Sequence, residues 1–164
     1  MINLKEQEKK IKKAAQFWFD AILNLSNEIR QDNQQRTGIS IYIREPETEN
    51  ILHFSIGNPP PKAKDFAIEQ AVRSYGLGDV SSQNSEDVNN SHFAGSLMIE
   101  INKTSIQVSI SGLQSYENVF IAIQLLSVIS NESTSSICLD IIDNSGDLPN
   151  FTHWYENQLL PRFV

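Results

Sequence analysis

Three histidines, one cysteine and a Ser-Gly pair closing an alternating run are the features through which this 164-residue chain could do chemistry. His53, His92 and His153 do not stand at a metal-motif spacing from one another or from a cysteine, so no zinc site is expected. His92 falls between a polar stretch and an apolar strand, which makes it the best placed of the three to face a ligand. Cys138, the single cysteine, excludes an internal disulfide, and within "SICLDII" it reads as a buried thiol rather than a nucleophile. Ser111 follows Ile110 and precedes Gly112, outside the G-x-S-x-G frame of a hydrolase elbow. Gly76 and Gly78 offer two glycines of a phosphate loop, but no third follows and no strand precedes, so they read as a helix stop. Asp140, Asp143 and Asp147 miss the calcium-loop spacing. No catalytic set emerges, and an enzyme is not expected.

The elements that must position these residues follow from periodicity. Residues 4–33 read as one long amphipathic helix, with Ile11, Ala14, Ala15, Trp18, Ile22, Leu25 and Ile29 on one face. Phe17 and Phe19 lie off that stripe. "ISIYI" and "ILHFSI" read as a hairpin, and "GNPPP" ends it because prolines cannot continue a ladder. A second helix over 62–75 carries Ala63, Ala67, Ile68, Ala71, Val72 and Tyr75 as its apolar side. The stretch 76–92, rich in Ser and Asn, reads as a mobile surface loop. "HFAGSLMIEI" and "TSIQVSIS" form a second hairpin. Ser115 is the expected N-cap of a helix that is apolar nearly all round, and Glu117 suits its first turn. "SICLDII" reads as a last strand, and an aromatic tail holding Phe151, Trp154, Tyr155 and Phe163 closes the chain.

These elements predict a single α+β domain over 1–164, with an antiparallel sheet of about five strands packed with helices in a profilin-like layering. The balance of 13 Lys+Arg against 20 Asp+Glu gives −7, which argues against nucleic acid as a partner. Five lysines cluster in "KEQEKKIKK" and read as a solvated helix face, with an anionic surface as the rival partner. No apolar run is long enough for a transmembrane segment, and a signal-peptide core is lacking, so a cytoplasmic protein is expected.

The stretch "FAGSLMIEINKTSIQVSISGLQSYENVFIAI", with "AIEQAVRSY" upstream, resembles the HbpS/GlcG-like family of small haem-binding or haem-degrading domains. The likeness spans about residues 14–130 and runs through Phe93, Gly95, Ser111, Gly112 and Glu117. The family's second glycine is Ser96 here, its nearby proline is Met98, and the Gly-Val before Ser-Gly is Ser109-Ile110. Its helix lysine is Gln70, and the acidic residue after Glu117 is Asn118. The resemblance implies a ligand pocket near the 76–95 loop, with His92, Phe93, Gly95, Ser111, Gly112 and Tyr75 as its candidate residues. Haem is the cofactor it makes possible, and no other is implied. The first helix offers no His, Cys or Met as an axial ligand.

The expected function is therefore a non-enzymatic, self-associating domain that binds a small planar ligand such as haem. The alternative is a protein-interaction module without a ligand site, and a haem-degrading enzyme comes third. A homodimer or higher homo-oligomer is expected, because Phe17, Phe19 and the tail aromatics exceed what one core needs. The Ser-Gly pair is expected to let the chain turn tightly against the sheet, so that Gly112 takes positive φ or a close backbone approach.

Overall fold

The computed structural model describes residues 2–24, 36–79 and 81–145, together with Asn157 and Pro161. Among these residues, four α-helices and four strands run in the order α1 (Leu4–Leu23), β1 (Gly38–Arg44), β2 (Ile51–Gly57), α2 (Ala63–Gly76), β3 (Ser96–Ile101), β4 (Thr104–Ser111), α3 (Ser115–Ser130) and α4 (Thr134–Ser145). The sheet is fully antiparallel in the order β2-β1-β4-β3. Among the described residues it has four strands rather than the expected five.

The missing strand is "SICLDII", which is helical as part of α4. Ile137, Cys138 and Ile141 are buried while Leu139 and Asp140 face out. That spacing suits one face of a helix and breaks the alternation a strand requires. Ser133 caps the turn: its Oγ accepts from the Ser136 amide at 3.1 Å and its carbonyl from the Ile137 amide at 3.1 Å.

Register divides the sheet into two unlike faces. Ile39, Ile41 and Ile43 pair across β1 with Ile56, Phe54 and Leu52, while Ile41 and Ile43 meet Ile110 and Val108 of β4. Leu97 and Ile99 continue the row on β3. This face packs against α1, α3 and α4 in one core that includes Ile11, Phe19, Ile22, Phe120 and Ile137. Each of these large side chains contributes about 1.5–3 kcal/mol by leaving water, so this face dominates the stability of the domain.

The opposite face carries Ser40, Tyr42, Gln107, Ser109, Ser111 and Ser96, all buried, beneath α2. Ala63, Ala67 and Ala71 let α2 approach closely. The Ser109 hydroxyl donates to the Ala67 carbonyl at 2.6 Å, and Gln107 Nε2 donates to the Ala71 carbonyl at 2.8 Å. Gln70 and Ser74 of α2 are buried in this layer, whereas Val72 and Tyr75, expected on the apolar side, are exposed. The helix is thus docked by small and polar groups.

On α1, Ile11, Ala15 and Ile22 are buried as expected, and Leu4 and Phe19 join them. Phe19 belongs to the domain's own core, so it is not available to a second subunit. Phe17 remains 60% exposed. Leu25 and Ile29 of the expected stripe lie outside the described residues, as do Phe151, Trp154, Tyr155 and Phe163. No helix among the described residues is long and apolar enough to cross a membrane.

Candidate functional site

The Ser-Gly pair ends β4 at a cleft. Gly112 has φ +123°, and a Cβ there would lie 2.4 Å from the Gly38 carbonyl oxygen. Only glycine lets the chain leave β4 while pressed against the start of β1. Gly38 itself faces Gly57 across the β1–β2 ladder, so small residues line this end of the sheet.

From Gly112 the chain enters α3 through a capping box formed by Gln114 and Glu117. Gln114, not the expected Ser115, is the N-cap, and Ser115 is the first helical residue. The Gln114 amide donates to Glu117 Oε1 at 3.2 Å, and the Leu113 amide donates to Asn118 Oδ1 at 3.2 Å. Glu117 is also held by Arg36, whose Nε donates to its two oxygens at 2.8 and 3.1 Å. Both side chains are 1% exposed. This pair fixes the α3 entrance against the segment that leads into β1.

The cleft has a volume of about 190 Å³ and is lined by Pro60, Ala63, Phe66 and Phe93 on one side. Ser111, Gly112, Leu113, Ser115 and Asn118 complete it. Phe66 and Phe93 meet edge to face, with centroids 5.0 Å apart and planes at 75°. The walls are apolar, and the polar groups gather where β4 passes into α3. Three of the expected residues, Phe93, Ser111 and Gly112, converge here.

Gly95 stands behind the wall. Its φ is +148°, and a Cβ would lie 2.2 Å from the Ile110 carbonyl oxygen, 2.7 Å from Gln70 Oε1 and 2.9 Å from Asn118 Cβ. It is needed for close packing of β3 on β4 and α3 rather than for ligand contact. His92 does not line the cleft: its Nδ1 lies 2.7 Å from Glu69 Oε1. Tyr75 sits at the far end of α2, about 14 Å along the helix from Phe66 at 1.5 Å per residue. There it faces the Arg44 guanidinium, 5.5 Å from the ring centroid.

The stretch read as a mobile loop is tied down at several points. It contains two short 3₁₀ turns, Ser82–Ser85 and Val88–Asn90, and bridges joining Ser81 to Leu97 and Asp87 to His92. Arg73 of α2 donates to the Phe93 carbonyl at 2.6 Å, the Ser82 carbonyl at 3.2 Å and Ser85 Oγ at 2.8 Å. The same guanidinium pairs with Glu69, at 2.6 Å to Oε2. Phe93 is thereby presented to the cleft by an arginine that sequence reasoning passed over. Pro60 and Phe66 were also missed; their only signal was an aromatic one turn into an alanine-rich helix that follows prolines.

His53 lies on the face beneath α2, with Nε2 3.1 Å from Ser40 Oγ. Partial burial, with Lys64 adding to it, holds its pKa below the usual histidine value. Among the described residues no three His, Cys, Asp or Glu side chains are grouped to hold a metal ion. The cleft lining also offers no His, Cys, Met or Tyr to haem iron. Its residues therefore do not fit an axially ligated haem.

No family model matches the chain. No curated protein matches it either. Among solved structures, the crystal structure of the Klebsiella pneumoniae protein ORFY, which carries the family model DUF336, is similar at a TM-score of 0.46 and 15% identity. That likeness covers 74% of this chain and 90% of the other.

Proposed function

We propose that the chain is a non-enzymatic, HbpS/GlcG-like binding domain whose cleft takes one flat aromatic ring of a small ligand. The edge-to-face pair Phe66–Phe93 over the Ser111-Gly112 turn is the observation that carries this reading. An apolar cavity of about 150 Å³ accepts a benzene-sized molecule, so the volume here suits one or two fused rings. Titration of ¹⁵N-labelled protein with indole should move the amide signals of Gly112, Leu113 and Ser115 first. Phe93→Ala should weaken indole about five- to tenfold, the worth of an aromatic contact. Shifts scattered over the surface, or none, would count against a ring site.

The same reading includes self-association, which Phe17 supports as a large apolar side chain left on the outer surface of α1. Light scattering at micromolar concentration should give at least twice 18.5 kDa, and Phe17→Glu should lower it. A wild-type mass near 18.5 kDa would remove this part. A protein-interaction module without a ligand is the second reading, favoured by Val72 and Leu77, which lie 52% and 62% exposed at the C-terminal half of α2 and just beyond it.

A further inference from the structure

The charge at the rim of the cleft decides which ring-bearing ligands it favours. Glu86, exposed on the segment between the two 3₁₀ turns, meets the rim of the cleft at Ser115. Its Oε2 accepts from the Ala94 amide at 3.2 Å and from the hydroxyl of Ser115, which lines the cleft. Oε1 takes no partner among the described residues. The carboxylate is thus fixed through one oxygen and presents the other to solvent beside the opening.

The start of α3 would by itself favour an anion. Here part of that role is already filled by the chain. The Leu113 and Gln114 amides are taken by Asn118 and Glu117, and Glu86 adds a second carboxylate beside the first turn. The cations nearest in sequence to the lining are Lys62 and Lys64, exposed beside Ala63 on the opposite lip. Lys64 also acts on His53 beneath α2. Arg73 is committed to Glu69 and to loop carbonyls, and Arg36 to Glu117.

We infer that the site selects an aromatic amine: the ring lies against Phe66 and Phe93, and an ammonium group one or two bonds from it reaches Glu86. The inference rests on the ring-binding function proposed for the cleft and adds the charge of the ligand. A cation held close to the two lining aromatics is also attracted by their ring faces.

Three probes of one ring size separate the possibilities: benzylamine, benzyl alcohol and benzoate, each titrated by amide shifts at neutral pH and low salt. Benzylamine should bind about three- to fivefold tighter than benzyl alcohol, the size of a solvent-exposed ion pair, and benzoate weakest. Glu86→Gln, which keeps an acceptor for Ser115, should bring benzylamine down to the affinity of benzyl alcohol. Glu86→Lys should reverse the order in favour of benzoate. Raising the salt to about 0.5 M should erase most of the advantage. Equal binding of all three, or tightest binding of benzoate, would overturn the inference and leave the ring site standing. Binding by none would overturn both.

Discussion

Glu117→Ala is expected to lower the unfolding free energy by about 3–5 kcal/mol, because it takes the carboxylate away from the Arg36 guanidinium in a site closed to solvent. The pair is 1% exposed on each side, with Nε to oxygen distances of 2.8 and 3.1 Å. The same change removes the acceptor of the Gln114 amide, so the α3 cap is lost as well, worth about 1 kcal/mol. Arg36→Met with Glu117→Leu should regain most of the loss, since two apolar residues of similar volume need no compensating charge. Urea unfolding of wild type and both variants measures the two effects. A single-site cost under about 1 kcal/mol would mean that water reaches the pair.

Gly112→Val should cost at least about 1–3 kcal/mol from backbone strain alone. The φ of +123° is hostile to a β-branched residue, and the contact at 2.4 Å is with a main-chain oxygen, which cannot swing away. Opening the sheet end to relieve it would disturb the Gly38–Gly57 pairing as well. Gly76→Ala supplies the contrast. A Cβ there meets nothing within 4 Å, and the position ends a helix, so a gain of about 0.4–1 kcal/mol is expected. Thermal melts of the two proteins should move in opposite directions. Similar melting temperatures for Gly112→Val and wild type would mean that the turn out of β4 does not depend on its glycine.

Much of the fold was legible because its signals are local. The strands around Ile39–Ile43 and Ile51–Ile56 and the hairpin through Ile101 and Ile106 announce themselves by alternation, and their register follows from which side must be apolar. "SICLDII" misled because a short apolar run satisfies both periods until its neighbours decide, and the deciding residue, Leu139, points to solvent. The polar face of the sheet gives little sign along the chain that it is covered. Ser40, Gln107 and Ser109 alternate as solvent residues do, and only the alanines at 63, 67 and 71 hinted that a helix lies on them. The Arg36–Glu117 pair spans 81 positions, and no pattern along the chain joins its ends. The cleft was half visible: Phe93, Ser111 and Gly112 stood in one continuous stretch, whereas Pro60 and Phe66 arrive by tertiary packing.

The two faces of the sheet also set how the domain comes apart. Releasing α1 or α3 bares isoleucine and phenylalanine, so those movements carry a large heat-capacity change and steep dependence on denaturant. Releasing α2 bares mostly alanine, serine and glutamine, with Tyr42 and Ile68 as the larger apolar groups, so far less oily surface is exposed. Its departure is therefore a cheap, shallow opening nested inside a stiff global unfolding. Phe66 and Arg73 travel with α2, whereas Phe93 is held to the sheet by the strand that follows it. The aromatic pair thus straddles the seam between a rigid layer and a loosely bound one, and the aperture of the cleft is governed by hydrogen bonds rather than by the oily core.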